Sequence, residues 1–191
     1  MRITSQRALE LLSRWRVDVA WIGVIMIVFA QPTTGSIAAF LPLVAVGLLL
    51  RLWARGHLER GVPITQTGPY AYVRHPLYVG SFLLGLAFAL MSRSLPLVGI
   101  YLTCFLVMYL PKALREEAYL RALAGPAYDR YAARTGAVLP RVRRADPASA
   151  APSRTFEWRR VRRHREWRTW VGVLVLLAVV WERAVRHVPF P

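Results

Sequence analysis

Residues 68–80 read GPYAYVRHPLYVG and lie between two apolar stretches of the chain. Pro76 has no backbone N–H and biases His75 away from helical geometry, so the sequence predicts an apolar helix that begins at about residue 76. The N-terminal amides of such a helix carry a partial positive charge, and beside them Arg74 and His75 are placed to receive a polar, partly anionic ligand. The alternative is an ordinary loop with a snorkelling arginine and tyrosines at a membrane interface.

The surrounding sequence predicts an all-α integral membrane protein with about five transmembrane helices. Mean hydropathy is +0.34, and 55% of the residues are hydrophobic. A helix needs about 20 apolar residues to cross the ~30 Å hydrocarbon core, and each segment reaches that length once flanking Trp, Tyr and Arg are counted. The segments are 17–30, 36–50, 77–92, 95–111 and 169–185.

The distribution of basic residues predicts the orientation of these spans. Alternate connections carry 23 and 3 of the 26 Lys and Arg residues, which places the N-terminus, residues 51–76 and residues 111–169 in the cytoplasm. We expect the first span to remain uncleaved despite its resemblance to a signal peptide. The fifth segment has a short apolar core and either spans the bilayer or lies at its interface.

Composition excludes several classes of function. The net charge is +16, but the arginines flank apolar segments instead of forming one basic face, which disfavours nucleic-acid binding. Cys104 is the only cysteine, so an intrachain disulfide and a cysteine-based metal site are excluded. The four histidines have no i,i+3 or i,i+4 spacing, and no metal site is expected.

A second polar cluster, REEAYLRALAGPAYDRYAART at residues 115–134, follows the fourth span. Glu116 and Glu117 stand where a helix leaves the bilayer and could hold a cationic ligand or ribose hydroxyls. The alternative for Glu117 is an i,i+4 ion pair with Arg121. Arg51, at the end of the second span, taken alone reads as a snorkelling charge.

Together these residues resemble the isoprenylcysteine carboxyl methyltransferase and phospholipid methyltransferase superfamily of integral membrane enzymes. The resemblance covers residues 47–140 and rests on the 68–80 segment, a two-helix hairpin and the second polar cluster with Tyr128, Tyr131 and Pro140. It implies a cytosolic-face site, built from the loop before span three and the helices after span four, that binds S-adenosylmethionine without a Rossmann domain. Ala124 replaces the aromatic residue usual before the glycine of this pattern.

The resemblance also implies roles for individual residues. Arg51 and Glu117 are the expected catalytic residues. The expected cofactor-binding residues are Tyr72, Arg74, His75, Tyr78, Gly80, Glu116 and Glu117.

The expected organisation is a methyltransferase core at residues 1–140, with cytosolic helices over 113–134, and an extension at 141–191. The extension contains a linker at 145–153, an Arg-rich interfacial helix at 154–168 and the fifth span.

The expected function is methyl transfer to a lipid or hydrophobic small molecule with a terminal carboxylate, amine or thiol. The protein is expected to lie in a bacterial inner membrane. Its oligomeric state is left open. The alternatives are an NADPH-dependent membrane sterol-type reductase and a non-enzymatic membrane scaffold.

Overall fold

The computed structural model describes residues 29–58, 64–141 and 155–186, and within them the fold is all-helical. A short 3-10 turn, Gly68–Ala71, precedes the second helix. The described residues contain six complete α-helices: α1 Thr34–His57, α2 Pro76–Met91, α3 Leu95–Ala124, α4 Pro126–Arg134, α5 Trp158–Arg163 and α6 Trp167–Arg186.

Helix α1 begins at a capping box. The Ser36 backbone N–H donates to Thr33 Oγ1, and the Thr33 backbone N–H donates to Ser36 Oγ, so two amides at the helix start find partners. The Ser36 hydroxyl also donates to the Met91 carbonyl at the end of α2, 3.0 Å away. This contact fixes the two antiparallel helices at the end opposite Arg51.

Two glycines let α1 and α2 cross at close range. A Cβ on Gly47 would lie 3.0 Å from the Gly80 carbonyl oxygen, and a Cβ on Gly80 would lie 3.0 Å from the Gly47 carbonyl oxygen. Apolar side chains of α1, α2 and α6 fill the core around this crossing, including Val44, Leu84 and Val180. The crossing therefore sets how α2, which carries the predicted site residues, sits on α1.

Helix α3 corrects the predicted boundary between the fourth span and the cytosolic helices at 113–134. The structure has one continuous helix, Leu95–Ala124, which passes through Pro111. Proline removes one backbone donor but keeps a φ compatible with a helix, and the helix continues. At 1.5 Å per residue, 30 residues span about 45 Å, so α3 is longer than a bilayer core. Its charged end from Lys112 onwards extends beyond the apolar part.

Gly125 and Pro126 interrupt the helical course of the second polar cluster. Gly125 has φ 53°, a conformation that favours glycine, and it separates α3 from α4. Tyr128 and Tyr131 on α4 are buried, whereas Asp129 between them is exposed. The short helix thus packs its aromatic face against the rest of the site.

Two helices of the described residues, Thr34–His57 and Leu95–Ala124, are long and apolar enough to cross a membrane, and α2 is a shorter apolar helix. The count of five spans stays a prediction. The predicted first span at 17–30 and the linker at 145–153 lie outside the described residues, except for Phe29 and Ala30.

The Arg-rich helix predicted over 154–168 is wrong in its continuity. Its described part forms the six-residue α5, and the chain then turns at residues 164–166 before α6 begins at Trp167. Arg165 takes φ 53° in this turn. The turn directs the Glu166 side chain into the protein, where it is almost fully buried, a placement that a straight helix on the membrane surface does not provide.

The close helix crossing predicts that Gly47→Val destabilises the protein. Overpacked core sites typically lose about 1–3 kcal/mol, because the added methyl groups force helices apart. Thermal unfolding in detergent measures the change. Gly99→Val is the matched control, since no atom lies within 4 Å of a Cβ built there, and it should leave the melting temperature nearly unchanged. Equal losses in both variants would contradict the close-packing explanation.

Candidate functional site

Glu117 on the charged end of α3 forms the centre of the site. Its Oε1 accepts a hydrogen bond from Arg74 Nε at 2.9 Å and lies 3.0 Å from His75 Nε2. The exposed fractions of the three side chains are 16%, 15% and 5%. Arg74 and His75 immediately precede α2, so this contact ties the start of α2 to the end of α3.

Backbone carbonyls hold Arg74 in place from the other side. Its Nη1 donates to the carbonyls of Ala132 at 3.0 Å and Thr135 at 2.5 Å, at the C-terminal end of α4. Its backbone N–H donates to the Gly136 carbonyl at 2.8 Å. A cation at a helix C-terminus interacts favourably with the helix dipole and with carbonyls that lack helical partners. Arg74 therefore joins three segments of the chain.

These bonds keep the Glu117 carboxylate ionised. Partial burial by itself would raise the pKa of Glu117, but the hydrogen bonds and positive charge of Arg74 and His75 outweigh it and hold the pKa below its ordinary value. Both bonds end on Oε1, and Oε2 takes no hydrogen bond from the described residues. Within the described residues, the hydrogen bonds to this carboxylate thus converge on one of its two oxygens.

The neighbouring residue Glu116 forms a second contact with α2. Its Oε2 accepts a hydrogen bond from the Tyr78 hydroxyl at 2.6 Å. The Tyr78 ring stacks on His75 with a centroid separation of 5.3 Å, and the Lys112 ammonium lies 5.3 Å from the centroid of the same ring. The site therefore combines two adjacent carboxylates with a fixed aromatic surface.

Tyr70 forms a buried partition behind this cluster. Burial raises the pKa of its hydroxyl above the ordinary value, so the ring stays neutral. The backbone carbonyl of Tyr70 accepts a hydrogen bond from the Tyr131 hydroxyl at 2.8 Å. The charges of Arg55, Glu116 and Arg51 all act on the Tyr70 hydroxyl, so Tyr70 lies near residues of two charged clusters.

The structure brings together five of the predicted site residues: Arg74, His75, Tyr78, Glu116 and Glu117.

The predicted pair of Glu117 with Arg121 is not formed. Arg121 pairs instead with Asp129, with both side chains more than half exposed.

Three predicted residues, Tyr72, Gly80 and Arg51, lie outside this cluster. Tyr72 is 48% exposed, and its ring faces Trp53 at 6.5 Å. Gly80 is buried at the helix crossing, where a Cβ would lie 2.5 Å from Arg51 Cγ. The close approach at Gly80 therefore involves α1. Their assigned contacts with a cofactor stay predictions.

Arg51 belongs to a second cluster that includes Arg55 on the next turn of α1. Glu166 is the carboxylate of this cluster: Arg51 Nε donates to its Oε1 at 2.8 Å and Arg55 Nε donates to its Oε2 at 3.0 Å. Arg51 Nη1 also donates to Ser81 Oγ on α2 at 2.6 Å. The role of Arg51 at a reacting centre stays a prediction.

Sequence reasoning missed Glu166. It stands in a run of six arginines over residues 159–168 and was treated as part of a lipid-facing helix. A usable signal was present: Arg51 and Arg55 are spaced i,i+4 and so share one face of α1, and a pair of cations that become buried needs a carboxylate.

The arrangement can bind a ligand that carries hydroxyls or a positive charge near an aromatic surface. Among residues 29–58, 64–141 and 155–186, no group of three or more His, Cys, Asp or Glu side chains could hold a metal ion. The carboxyl oxygens of Glu117 and Glu116 can accept hydrogen bonds, and the Tyr78 ring offers a stacking face. These groups can therefore orient a bound ligand.

Comparison with known proteins identifies relatives of the chain. The phospholipid methyltransferase family matches residues 19–125, more than half of the chain. The chain is 32% identical to the nickel-cobalt-cadmium resistance protein NccN of Alcaligenes xylosoxydans xylosoxydans, over 69% of this chain and 67% of that protein. It is also 32% identical to the cobalt-zinc-cadmium resistance protein CzcN of Cupriavidus metallidurans, over 68% of this chain and 55% of that protein. No solved structure matches significantly.

The lowered pKa of Glu117 predicts a specific pH dependence of stability. The unfolded chain binds the proton more readily, so the carboxylate stabilises the fold above its ordinary pKa, and the contribution disappears as pH falls through the lower folded-state pKa. Melting temperatures of the wild type and Glu117→Gln should differ at about pH 7 and converge towards about pH 3. A difference that stays constant over this range would contradict the prediction.

Asp129→Asn is the control for this measurement. It removes a carboxylate from the same region, but its ion pair with Arg121 is largely exposed and should contribute little at any pH.

Proposed function

The chain belongs to the phospholipid methyltransferase family, and we propose that it transfers a methyl group from S-adenosylmethionine to a lipid or other hydrophobic acceptor at the membrane surface. Family membership supports methyl transfer on a membrane substrate. The observation that carries the proposal for the donor is the pair of carboxylates at Glu116 and Glu117, each anchored through one oxygen. The other oxygen of each takes no hydrogen bond from the described residues.

The residues present fit this methyl donor. S-adenosylmethionine carries an ammonium group and ribose hydroxyls, which suit the open carboxylate oxygens, and an adenine ring, which suits the stacked face of Tyr78 and His75. Its own carboxylate suits the positive end of α2, which begins at Pro76. When bound it supplies a methyl group already activated on a sulfonium sulfur.

The described side chains act by positioning in this proposal. Arg74 and His75 fix the Glu117 carboxylate, and Tyr78 fixes that of Glu116. Such anchored groups hold two reactants in line, which is the main requirement when the leaving group is already activated. Tyr70 and Tyr131, which are joined by a hydrogen bond, are both buried.

The acceptor reaches this site from the side of the membrane in our proposal. The apolar part of α3 leaves Leu106, Val107 and Leu110 exposed, as expected for contact with lipid. An acceptor with an acyl or isoprenoid chain can therefore lie along the helices while its terminal carboxylate, amine or thiol enters the site. The charged residues then stand on the cytoplasmic side of an inner membrane, in agreement with the distribution of basic residues.

The names of the relatives suggest a physiological setting. NccN and CzcN are named as metal resistance proteins. Because the described residues contain no cluster suited to a metal ion, we propose that a contribution of this chain to metal tolerance would arise through its methylated product and not through metal binding.

Isothermal titration of the detergent-purified protein with S-adenosylmethionine tests the proposed donor. We expect the wild type to bind and Glu117→Gln to bind about tenfold to a hundredfold more weakly, because hydrogen bonds to a charged group contribute about 1.5–3 kcal/mol. Asp129→Asn, an exposed carboxylate on the adjacent helix, should bind like the wild type.

A parallel titration with NADPH separates this function from its main alternative. Binding of NADPH without S-adenosylmethionine would move the chain to the reductases. Wild-type affinity in Glu117→Gln would remove Glu117 from the donor site. Binding of neither compound would favour a non-enzymatic scaffold.

A further inference from the structure

Glu166, in the turn before α6, carries a buried carboxylate that the proposed methyl transfer does not use. Only 1% of its surface is exposed. Buried carboxylates require compensating donors, and Glu166 has three, from Arg51 Nε at 2.8 Å, Arg51 Nη2 at 3.1 Å and Arg55 Nε at 3.0 Å. The two bonds from Arg51 form a bidentate, charge-assisted pair, which fixes the orientation of its guanidinium.

Every N–H group of Arg51 is used within the protein. Besides the two bonds to Glu166, Nη2 donates to Thr169 Oγ1 at 3.1 Å, and Nη1 donates to Ser81 Oγ at 2.6 Å and to the Leu77 carbonyl at 3.5 Å. A guanidinium has five N–H donors. Arg51 therefore has a single, fully determined position.

Arg51 transmits this position to the start of α2. Its Nη1 contacts Leu77 and Ser81 in the first two turns of the helix, and its Cγ lies 2.5 Å from where a Cβ of Gly80 would stand. The same turns carry Tyr78 and follow directly on His75, two residues of the proposed donor site. A continuous set of contacts thus connects Glu166 with that site.

The helix that follows Glu166 is anchored in the protein core. Val173, Val180 and Ala184 of α6 are buried in the cluster formed with α1 and α2. The Glu157 backbone N–H, before α5, donates to the Gly56 carbonyl at 3.1 Å. Glu166 is therefore held from both sides of its turn.

We propose that Glu166 is a positioning residue of the donor site, acting through Arg51 on the first two turns of α2. The inference rests on the proposed function for the identity of the ligand, but the mechanical connection does not depend on it. It assigns a role to residues 155–186, which lie beyond the family match at 19–125. The C-terminal helices are then part of the functional unit.

The test is Glu166→Gln, measured by two methods on the full chain in detergent. Glutamine keeps the size of the side chain but leaves two arginines without a counter-charge and turns an N–H towards them. Hydrogen exchange of the amides of residues 78–81 should become faster than in the wild type. S-adenosylmethionine should bind about tenfold more weakly, as expected when supporting contacts allow small misplacements.

Two controls separate positioning from general destabilisation. Val180→Ala weakens the packing of α6 in the core without touching Arg51. Glu157→Gln makes the same chemical change in the same segment, where the carboxylate pairs with Arg160. Both should retain wild-type affinity and wild-type exchange at residues 78–81, although Val180→Ala lowers the melting temperature.

Thr169→Val is the second variant and removes one acceptor of Arg51 while preserving shape. It should weaken donor binding in the same direction by a smaller factor, and it decides the question if Glu166→Gln does not fold.

Wild-type exchange at residues 78–81 in the folded variant, or an equal effect of Val180→Ala, would overturn the proposal. Failure of the wild type to bind S-adenosylmethionine would count against the proposed function, and the exchange measurement would still decide the role of Glu166.

Discussion

The ionised carboxylate of Glu117 is the constraint on which the site depends. It joins Arg74 and His75, which precede α2, to α3. Helix α3 begins 19 residues after the start of α2. Since His75 is buried and Arg74 nearly so, removal of the carboxylate leaves a buried cation without its counter-charge. Breaking such a pair costs far more than the pair contributes when intact. The arrangement of the loop around α2 is therefore coupled to one ionisation state.

This constraint acts at the edge of an apolar region. Helix α3 is longer than a hydrocarbon core is thick, and the carboxylates begin one turn after its apolar part ends. A polar ligand can reach this level from water, and a hydrophobic ligand can reach it from lipid. Neither has to cross the bilayer to meet the other. In the proposed reaction, the length of this one helix would thus bring two unlike reactants to the same place.

The sequence predicted the elements of the site better than their connections. The helix start at Pro76 followed from a local signal, the geometry of proline. The grouping of Arg74, His75 and Tyr78 with the two glutamates followed from the family resemblance. The ion-pair partner of Glu117 was not predicted. An i,i+4 pair with Arg121 was available locally, whereas Arg74 lies 43 residues away, and only the fold shows that carbonyls of α4 hold Arg74 within reach.

Glu166 escaped prediction for a related reason. A carboxylate within an arginine run has many local partners, and no periodic pattern indicates that the chain turns at residues 164–166 and buries it. The two arginines of α1 carry a clearer signal. Arg51 and Arg55 are largely buried at 12% and 24% side-chain exposure, and two such cations on one helix face require an anion.

With Glu166 in that place and every N–H of Arg51 in use, a carboxylate acceptor would need to be oriented by a different cation. In the proposed reaction, the C-terminal helices would thus affect which acceptors the core can hold, and the core and its extension would act as one unit.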